Sequence, residues 1–311
     1  SFYGSNTIFE NQYQIRNFSL PPFSGRNYAF ELQCNYRGNY EIGVDSVEIE
    51  DFFGLIKFRY NVGEPKYVTV YPRIICLEKF RLKTDYMSET HTMLNSRDED
   101  MTTVSDVRKY QYGDSLKRIH WKLTARTREL MVKKFQSTSE TNTLMLLDLR
   151  RNYFPPAKNI MLEDKLIEAV VAVLYYCLNK WIPVELVYFS ETLYSIQAKN
   201  HLMFNEIYET LAKVKFTDDV AVEDLLSIYT ESVRMNSNII VFTANLGYDL
   251  YNQLYKTASS GYNVSLVYIS PEKITGVRDP EIENILTSLP EIGIECYRIG
   301  IDDDIKAILE S

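Results

Sequence analysis

Glycine and proline are scarce in this sequence, 12 and 10 in 311 residues. That excludes collagen-like and low-complexity architectures. Cysteine occurs four times, at Cys34, Cys76, Cys177 and Cys296, and no two form a Cys-x-x-Cys pair. Thiols so widely spaced read as buried free cysteines and not as a disulfide framework. His91 and His201 stand alone, so a zinc site lacks ligands. The longest uncharged apolar run, Ala169 to Leu178, is too short to span a bilayer, and no signal peptide opens the sequence. There is no Gly-x-x-x-x-Gly-Lys phosphate loop, no Gly-x-Gly-x-x-Gly fingerprint and no Gly-x-Ser-x-Gly elbow. Asp114 and His120, six residues apart, do not share a helical face, and no nucleophile accompanies them. The sequence thus offers no catalytic constellation and calls for no cofactor.

What is present is ordinary for a folded protein: 45% apolar and 24% charged residues. A chain of this length exceeds what one core serves, so two domains are expected. The 24 Tyr and 15 Phe favour a substantial β component. Residues 1–75 alternate in short runs punctuated by turns: Tyr28 to Cys34, Tyr40 to Val44, Val47 to Glu50, Ile56 to Tyr60 and Tyr67 to Tyr71. This spacing predicts a small antiparallel β-sandwich. Residues 76–105 lose periodicity and read as a loop, which with the segment up to 140 joins the domains.

From 141 the pattern changes. Thr143 to Leu147 is a continuous apolar run, as a buried parallel strand requires. Leu162, Leu166, Val170, Val173, Leu174, Cys177 and Trp181 fall at helical spacing. Strands at 184–189, 193–197 (an antiparallel edge), 238–243, 264–269 and 294–298 are interleaved with helices near 201–213, 221–234, 248–261 and 280–289. This alternation predicts an α/β domain over 141–311, a doubly wound and mostly parallel sheet with helices on both faces.

The segment 105–135 carries nine Lys or Arg against Asp106, Asp114 and Glu129. A segment of +6 in a chain of net −8 leaves −14 elsewhere. Within it the pattern Arg-x-Tyr-x-x-Gly-Asp-x-x-x-Arg-Ile-x-Trp-Lys-x-x-Ala-Arg stands at Arg108, Tyr110, Gly113, Asp114, Arg118, Ile119, Trp121, Lys122, Ala125 and Arg126. It resembles the signature of family fifty-eight of the domains of unknown function, and the turns at Arg37-Gly38 and Gly54-Leu55 fit the region ahead of that signature. The resemblance implies a C-terminal half similar to a von Willebrand factor A domain and an association with MoxR-type AAA+ ATPases. It also implies a membrane hairpin ahead of this region, and so a protein facing the cytoplasm at the membrane. No established activity comes with it.

In a doubly wound sheet, ligands bind beyond the carboxyl ends of the strands, where strand order reverses. Here that is the loop after Leu147. A metal-binding von Willebrand A domain has Asp-x-Ser-x-Ser there, oxygen ligands for a hard cation. This chain has Asp148, Arg150 and Asn152 instead, and Asn245 stands where a second carboxylate is expected. Thr217, beside Asp218 and Asp219, is the remaining candidate ligand. The expectation is a degenerate site that holds no metal, with Asp148 paired to an arginine or capping a turn.

Two readings of the basic segment stand side by side. In one, its lysines and arginines with Trp121 bind an acidic protein surface or phosphates. In the other, Arg108, Asp114, Arg118 and Arg126 form an internal ion network around a buried Trp121. Asp114 also suits the N-cap of a helix starting near Ser115. The function expected is non-enzymatic: an assembly or adaptor protein working with an AAA+ ATPase. A nucleic-acid-binding module over 108–134 is the alternative, weakened by the acidic remainder. A metal-dependent ligand binder or hydrolase at Asp148 is a third, weakened by Arg150.

Overall fold

A computed structural model of the protein describes residues 19–21, 23–27, 34–42, 46–51, 53–61, 63, 66–82, 104–110, 119, 121, 124, 129–135, 143–217, 219–230 and 237–311. The chain divides into two compact units, Ser1–Lys83 with Asn142–Ser311, and Thr84–Thr141. The expected strand 28–34 (apart from Cys34), most of the expected loop 76–105 and the helix after Asp114 lie outside the described residues.

Four N-terminal strands are described: β1 (Gly38–Ile42), β2 (Ser46–Glu50), β3 (Lys57–Asn61) and β4 (Lys66–Val70). Their antiparallel pairing is as the alternation predicts, β1 with β4 and β2 with β3. They form two separate two-stranded sheets. β3 is exposed at all five positions, so among the described residues it is not the inner layer of a sandwich.

The larger sheet holds β7 (Thr143–Leu147), β8 (Val184–Ser190), β9 (Thr192–Ala198), β10 (Asn238–Thr243), β11 (Asn263–Ser270) and β12 (Glu295–Gly300). Its order is β12-β11-β10-β7-β8-β9, parallel throughout except for the antiparallel edge pair β8–β9. This is the doubly wound, mostly parallel arrangement with an antiparallel edge strand expected for 141–311. The helices are α1 (Pro156–Asn179), α2 (Phe204–Lys213), α3 (Val222–Thr230), α4 (Tyr248–Ser259), α5 (Glu272–Thr275), α6 (Pro280–Glu291) and α7 (Ile305–Leu309). Among the described residues, no helix is long and apolar enough to cross a membrane.

The period-two alternation of the strands sorts the core into two layers. Met145, Leu147, Ile240 and Phe242 face α1, α2 and α7. Leu144, Leu146, Ile239 and Val241 face α3, α4 and α6. Central strands apolar on both faces require this double cover.

Helix α1 has a further requirement. Every residue from Ala169 to Leu174 is fully buried, and a helix apolar on all sides must be covered on all sides. The sheet covers one side. Leu77 and Phe80 join the same core cluster, with Ile75 and Leu82 packed on it, and Phe80 lies edge-on to Tyr176 at 6.2 Å between ring centres. The expected loop therefore starts later than residue 76, because residues 77–82 have apolar side chains that α1 needs.

Polar side chains on α1 anchor the N-terminal strands. The Arg37 backbone N–H donates to Asp164 Oδ1 at 2.9 Å. The Arg37 guanidinium is buried and donates to the carbonyls of Leu211 (3.0 Å) and Val214 (2.9 Å) at the C-terminal end of α2, where it meets the negative end of the helix dipole. Arg73 grips the buried Glu168 with both nitrogens of its fork, Nη2 at 2.9 Å. Tyr71 stacks on Tyr208 at 5.2 Å, and the Tyr208 hydroxyl donates to Pro72 O at 2.5 Å.

The second unit is a small antiparallel pair, β5 (Val104–Lys109) with β6 (Met131–Phe135), irregular between Val104 and Asp106. Ile119 bridges Val132, and both are buried, at 4% and 3% exposure. The Tyr110 N–H donates to Leu130 O at 2.8 Å, and Lys109 pairs with Glu129 at 2.6 Å. Neither strand was expected from periodicity, because charged residues interrupt both.

Asp164 makes the clamp on α1 sensitive to pH. Burial pushes its carboxyl up to about 6, against the Arg37 N–H, which lowers it, and with Glu168, which raises it. The folded state thus favours the protonated acid. Its contribution to stability is full below the ordinary 3.8 and is lost as pH rises through about 6. Asp164→Asn keeps an oxygen for the Arg37 N–H without the buried charge. Urea unfolding at pH 4.5 and pH 7.5 is expected to show the variant gaining on the unmodified protein at the higher pH; equal differences at both would contradict this account.

Candidate functional site

The order of the sheet puts its switch point between β7 and β10. The chain leaves β7 towards β8 and β9, then returns to the other side of β7 as β10. A crevice opens at such a point beyond the carboxyl ends of the two strands. Asp148 follows the last residue of β7 there, and its N–H donates to Phe242 O in β10 at 2.9 Å. Its side chain is 0% exposed. A carboxylate so placed is costly unless it is paired and hydrogen-bonded.

The pairing comes from two residues downstream. The Arg150 backbone N–H donates to Asp148 Oδ1 at 3.0 Å, an Asx-type turn. This folds the Arg150 side chain back over the carboxylate. Nε lies 3.1 Å from Oδ1, and Nη2 lies 3.1 Å from Oδ2. The far side of the guanidinium reaches Glu223 in the first turn of α3, Nη1 to Oε1 and Nη2 to Oε2, both at 3.3 Å. Nη2 also donates to Asn245 O at 3.4 Å.

The loop after β10 completes the site. The Thr243 hydroxyl donates to Asp148 Oδ2 at 2.5 Å and accepts the Asn245 N–H at 2.8 Å. Asn245 Nδ2 donates to Asp148 Oδ2 at 3.3 Å. Both oxygens of Asp148 are therefore taken by protein donors. Burial lowers the Arg150 pKa, but the charges and hydrogen bonds of Asp148 and Glu223 outweigh it and hold the group above its ordinary value. A fixed cation stands between two carboxylates, where a divalent ion would need the same oxygens.

Of the residues expected at this site, the fold brings together Asp148, Arg150 and Asn245. Asn152 is buried nearby, and its carbonyl accepts Asn159 Nδ2 at 2.8 Å, which ties the loop to α1. Thr217 is exposed ahead of α3 and is not among the groups that meet Asp148. The acid that closes the network is Glu223, 73 residues away in sequence from Arg150. An acidic residue opening a helix after Asp218 and Asp219 was the available signal, and helix-dipole preference alone explains such a residue. Thr243 carries no signal in the sequence beyond ending an apolar strand.

In the basic segment, Tyr110 is half-buried and Trp121 is 67% exposed. Within the small unit Ile119 is buried and Trp121 is not. Gly113, Asp114, Arg118, Lys122 and Arg126 lie outside the described residues, as does the side chain of Arg108. Thr124 has its own structural task, its hydroxyl accepting the Met131 N–H at 3.0 Å.

Removing Arg150 leaves Asp148 buried and without a cation. Arg150→Ala is expected to destabilise the fold by about 3 kcal/mol, since breaking a buried pair strands the remaining charge. Arg150→Lys recovers only part of this, because an ammonium cannot span two carboxylates as a planar fork does. Chemical denaturation of the two variants measures both; an Arg150→Ala loss below about 1 kcal/mol, the scale of a surface pair, would show the network to be dispensable.

No curated protein matches this chain. Among solved structures it is similar to the von Willebrand A domain of SpRpn10, at 9% identity and a TM-score of 0.37, over 54% of this chain and 92% of that one. It is similar to the conserved hypothetical protein BatB from Bacteroides thetaiotaomicron, at 14% identity and 0.35, over 54% and 95%. A third is an aerotolerance-related membrane protein from Bacteroides fragilis NCTC 9343 carrying multiple mutations to serine, at 13% identity and 0.34, over 54% and 94%. Residues 106–264 match the family described as "Protein of unknown function DUF58". That stretch runs from the paired strands of the small unit through the Asp148–Arg150 site into β11, just over half of the chain, and the protein belongs to this family.

Proposed function

We propose that the protein is a non-enzymatic adaptor that engages a protein partner through its von Willebrand A-like domain and its basic segment, with no divalent ion at the strand ends. The observation that carries this reading is the Arg150 guanidinium between Asp148 and Glu223. An internal cation keeps the loops after β7 and β10 in one arrangement, so the top of the sheet is organised before any partner arrives. Preorganisation of this kind lowers the cost of binding.

The partner we propose is a MoxR-type AAA+ ATPase, met on the cytoplasmic side of the membrane, in keeping with the resemblance carried by Arg108 to Arg126. Trp121 supports a contact in the small unit, because exposed tryptophan among arginines is the residue pattern of interface anchors.

The test mixes the purified protein with a MoxR-type ATPase of the same organism and follows complex formation by sedimentation in nucleotide-free, ADP and ATP states. A complex is expected in at least one state, weakened about tenfold or more by Trp121→Ala, the effect of losing an interface anchor. Absence of a complex in all three states removes this partner. Calorimetry with magnesium and manganese on the protein alone is expected to give no one-site binding heat. A saturable isotherm abolished by Asp148→Asn would instead restore a metal-dependent function.

A further inference from the structure

A crevice of about 210 Å³ opens where β11 ends, between α5, the first turn of α6 and Arg298 of β12. None of its lining residues belongs to the Asp148 site. Pro271, Val277 and Ile282 supply an apolar wall, and Tyr268 and Ser270, 1% and 5% exposed, form the floor. An apolar cavity of about 150 Å³ takes benzene, and pockets for drug-sized ligands start at about 300 Å³. The space therefore fits one ring-sized apolar body with a short arm.

The charged wall decides what the arm carries. Arg298, like Arg150, lies between two carboxylates: Nη1 donates to Glu283 Oε1 at 2.6 Å and Nη2 to Glu272 Oε2. The other oxygen of Glu272 accepts from Arg278 Nε at 2.8 Å. Asp279 caps α6, its Oδ1 accepting the Glu281 N–H at 2.9 Å. Among the described residues, no donor reaches Glu283 Oε2 or Asp279 Oδ2. Three acids, Glu272, Asp279 and Glu283, face two arginines, Arg278 and Arg298, so the lining holds one negative charge in excess. The positive end of α6 attracts no further anion, because Asp279, Glu281 and Glu283 already match it. An anion would have to displace a carboxylate from Arg298, whereas a cation finds two carboxylate oxygens open. Burial pushes the Tyr268 hydroxyl up to about 12, so it stays a neutral phenol whose oxygen can also accept. An ammonium brings three donors to these acceptors.

We propose that this crevice binds a small primary amine, with its ammonium against Glu283 and Asp279 and its apolar body against Pro271, Val277 and Ile282. Charge-assisted hydrogen bonds hold the head, and burial of the body adds affinity without displacing any ion pair of the chain. The site stands independently of the adaptor reading, since it uses neither Asp148 nor the basic segment.

Phenethylamine, a benzene ring on a two-carbon ammonium arm, is the probe. Titrated into the full chain and followed by ligand-observed NMR, it is expected to bind saturably with a Kd of about 1 mM, the scale of a fragment this small. Its neutral and anionic counterparts, phenylethanol and phenylacetate, are expected to bind roughly tenfold more weakly or not at all. Asp279→Asn removes one charge and is expected to weaken phenethylamine roughly threefold. Asn caps a helix as well as Asp does, so a damaged fold does not account for that loss. Glu283→Gln is expected to weaken it by roughly fivefold. No saturable binding up to roughly 10 mM phenethylamine overturns the proposal. So does phenylacetate binding as tightly as the amine, or an affinity for the amine that Asp279→Asn and Glu283→Gln both leave unchanged.

Discussion

The architecture depends on one helix having no side fit for water. α1 is buried over its central turns, with Ala169 to Leu174 fully enclosed. Each large apolar side chain withdrawn from water there contributes about 1.5–3 kcal/mol, and exposing one side of the helix would forfeit a share of them. The sheet satisfies half of this demand. Leu77 and Phe80 supply part of the rest, which is why the N-terminal strands belong to the same compact unit as the sheet and not to a domain of their own. The ion pairs follow from that burial. Once strands lie over α1, Asp164 and Glu168 are removed from solvent and need the donors that Arg37 and Arg73 bring.

The strand ends show the same logic applied to a charge. Asp148 sits where a parallel sheet with this order opens a crevice, and its carboxylate is fully enclosed. Some cation has to be there. The chain provides it from two residues away, through a turn that the carboxylate itself stabilises. Glu223 then balances the guanidinium from the opposite wall. Three segments distant in sequence, the loops after β7 and β10 and the start of α3, are joined by one planar group.

Much of this was legible in the residues. Thr143 to Leu147 and Asn238 to Thr243 are apolar on both faces, which only a strand covered by two helical layers tolerates, and both are central strands. The run Thr192 to Ala198 alternates and lies at the edge. Arg150 in place of a small hydroxyl residue already set the charge of the crevice. The N-terminal region was harder to read, because alternation reports that one face of a strand is covered without saying by what. Residues 76–82 look polar and irregular in sequence, yet their few apolar side chains are the ones that count. β5 and β6 leave no mark in the pattern, because a short pair rich in lysine and arginine has no periodic apolar signature.

What the sequence determined by itself is local: the alternation of strands and helices, the signature from Arg108 to Arg126, and the acid–arginine spacing at Asp148. These are set by neighbours within a few residues of one another. Only the tertiary structure decided that Glu223 and Thr243 share the Asp148 site, that Arg37 closes the end of α2, and that Ile119 is buried while Trp121 is not. Burial and ion pairing between distant segments depend on where the chain returns in space. No local pattern encodes that, because a single acid, threonine or isoleucine looks the same in sequence whichever neighbour it later meets.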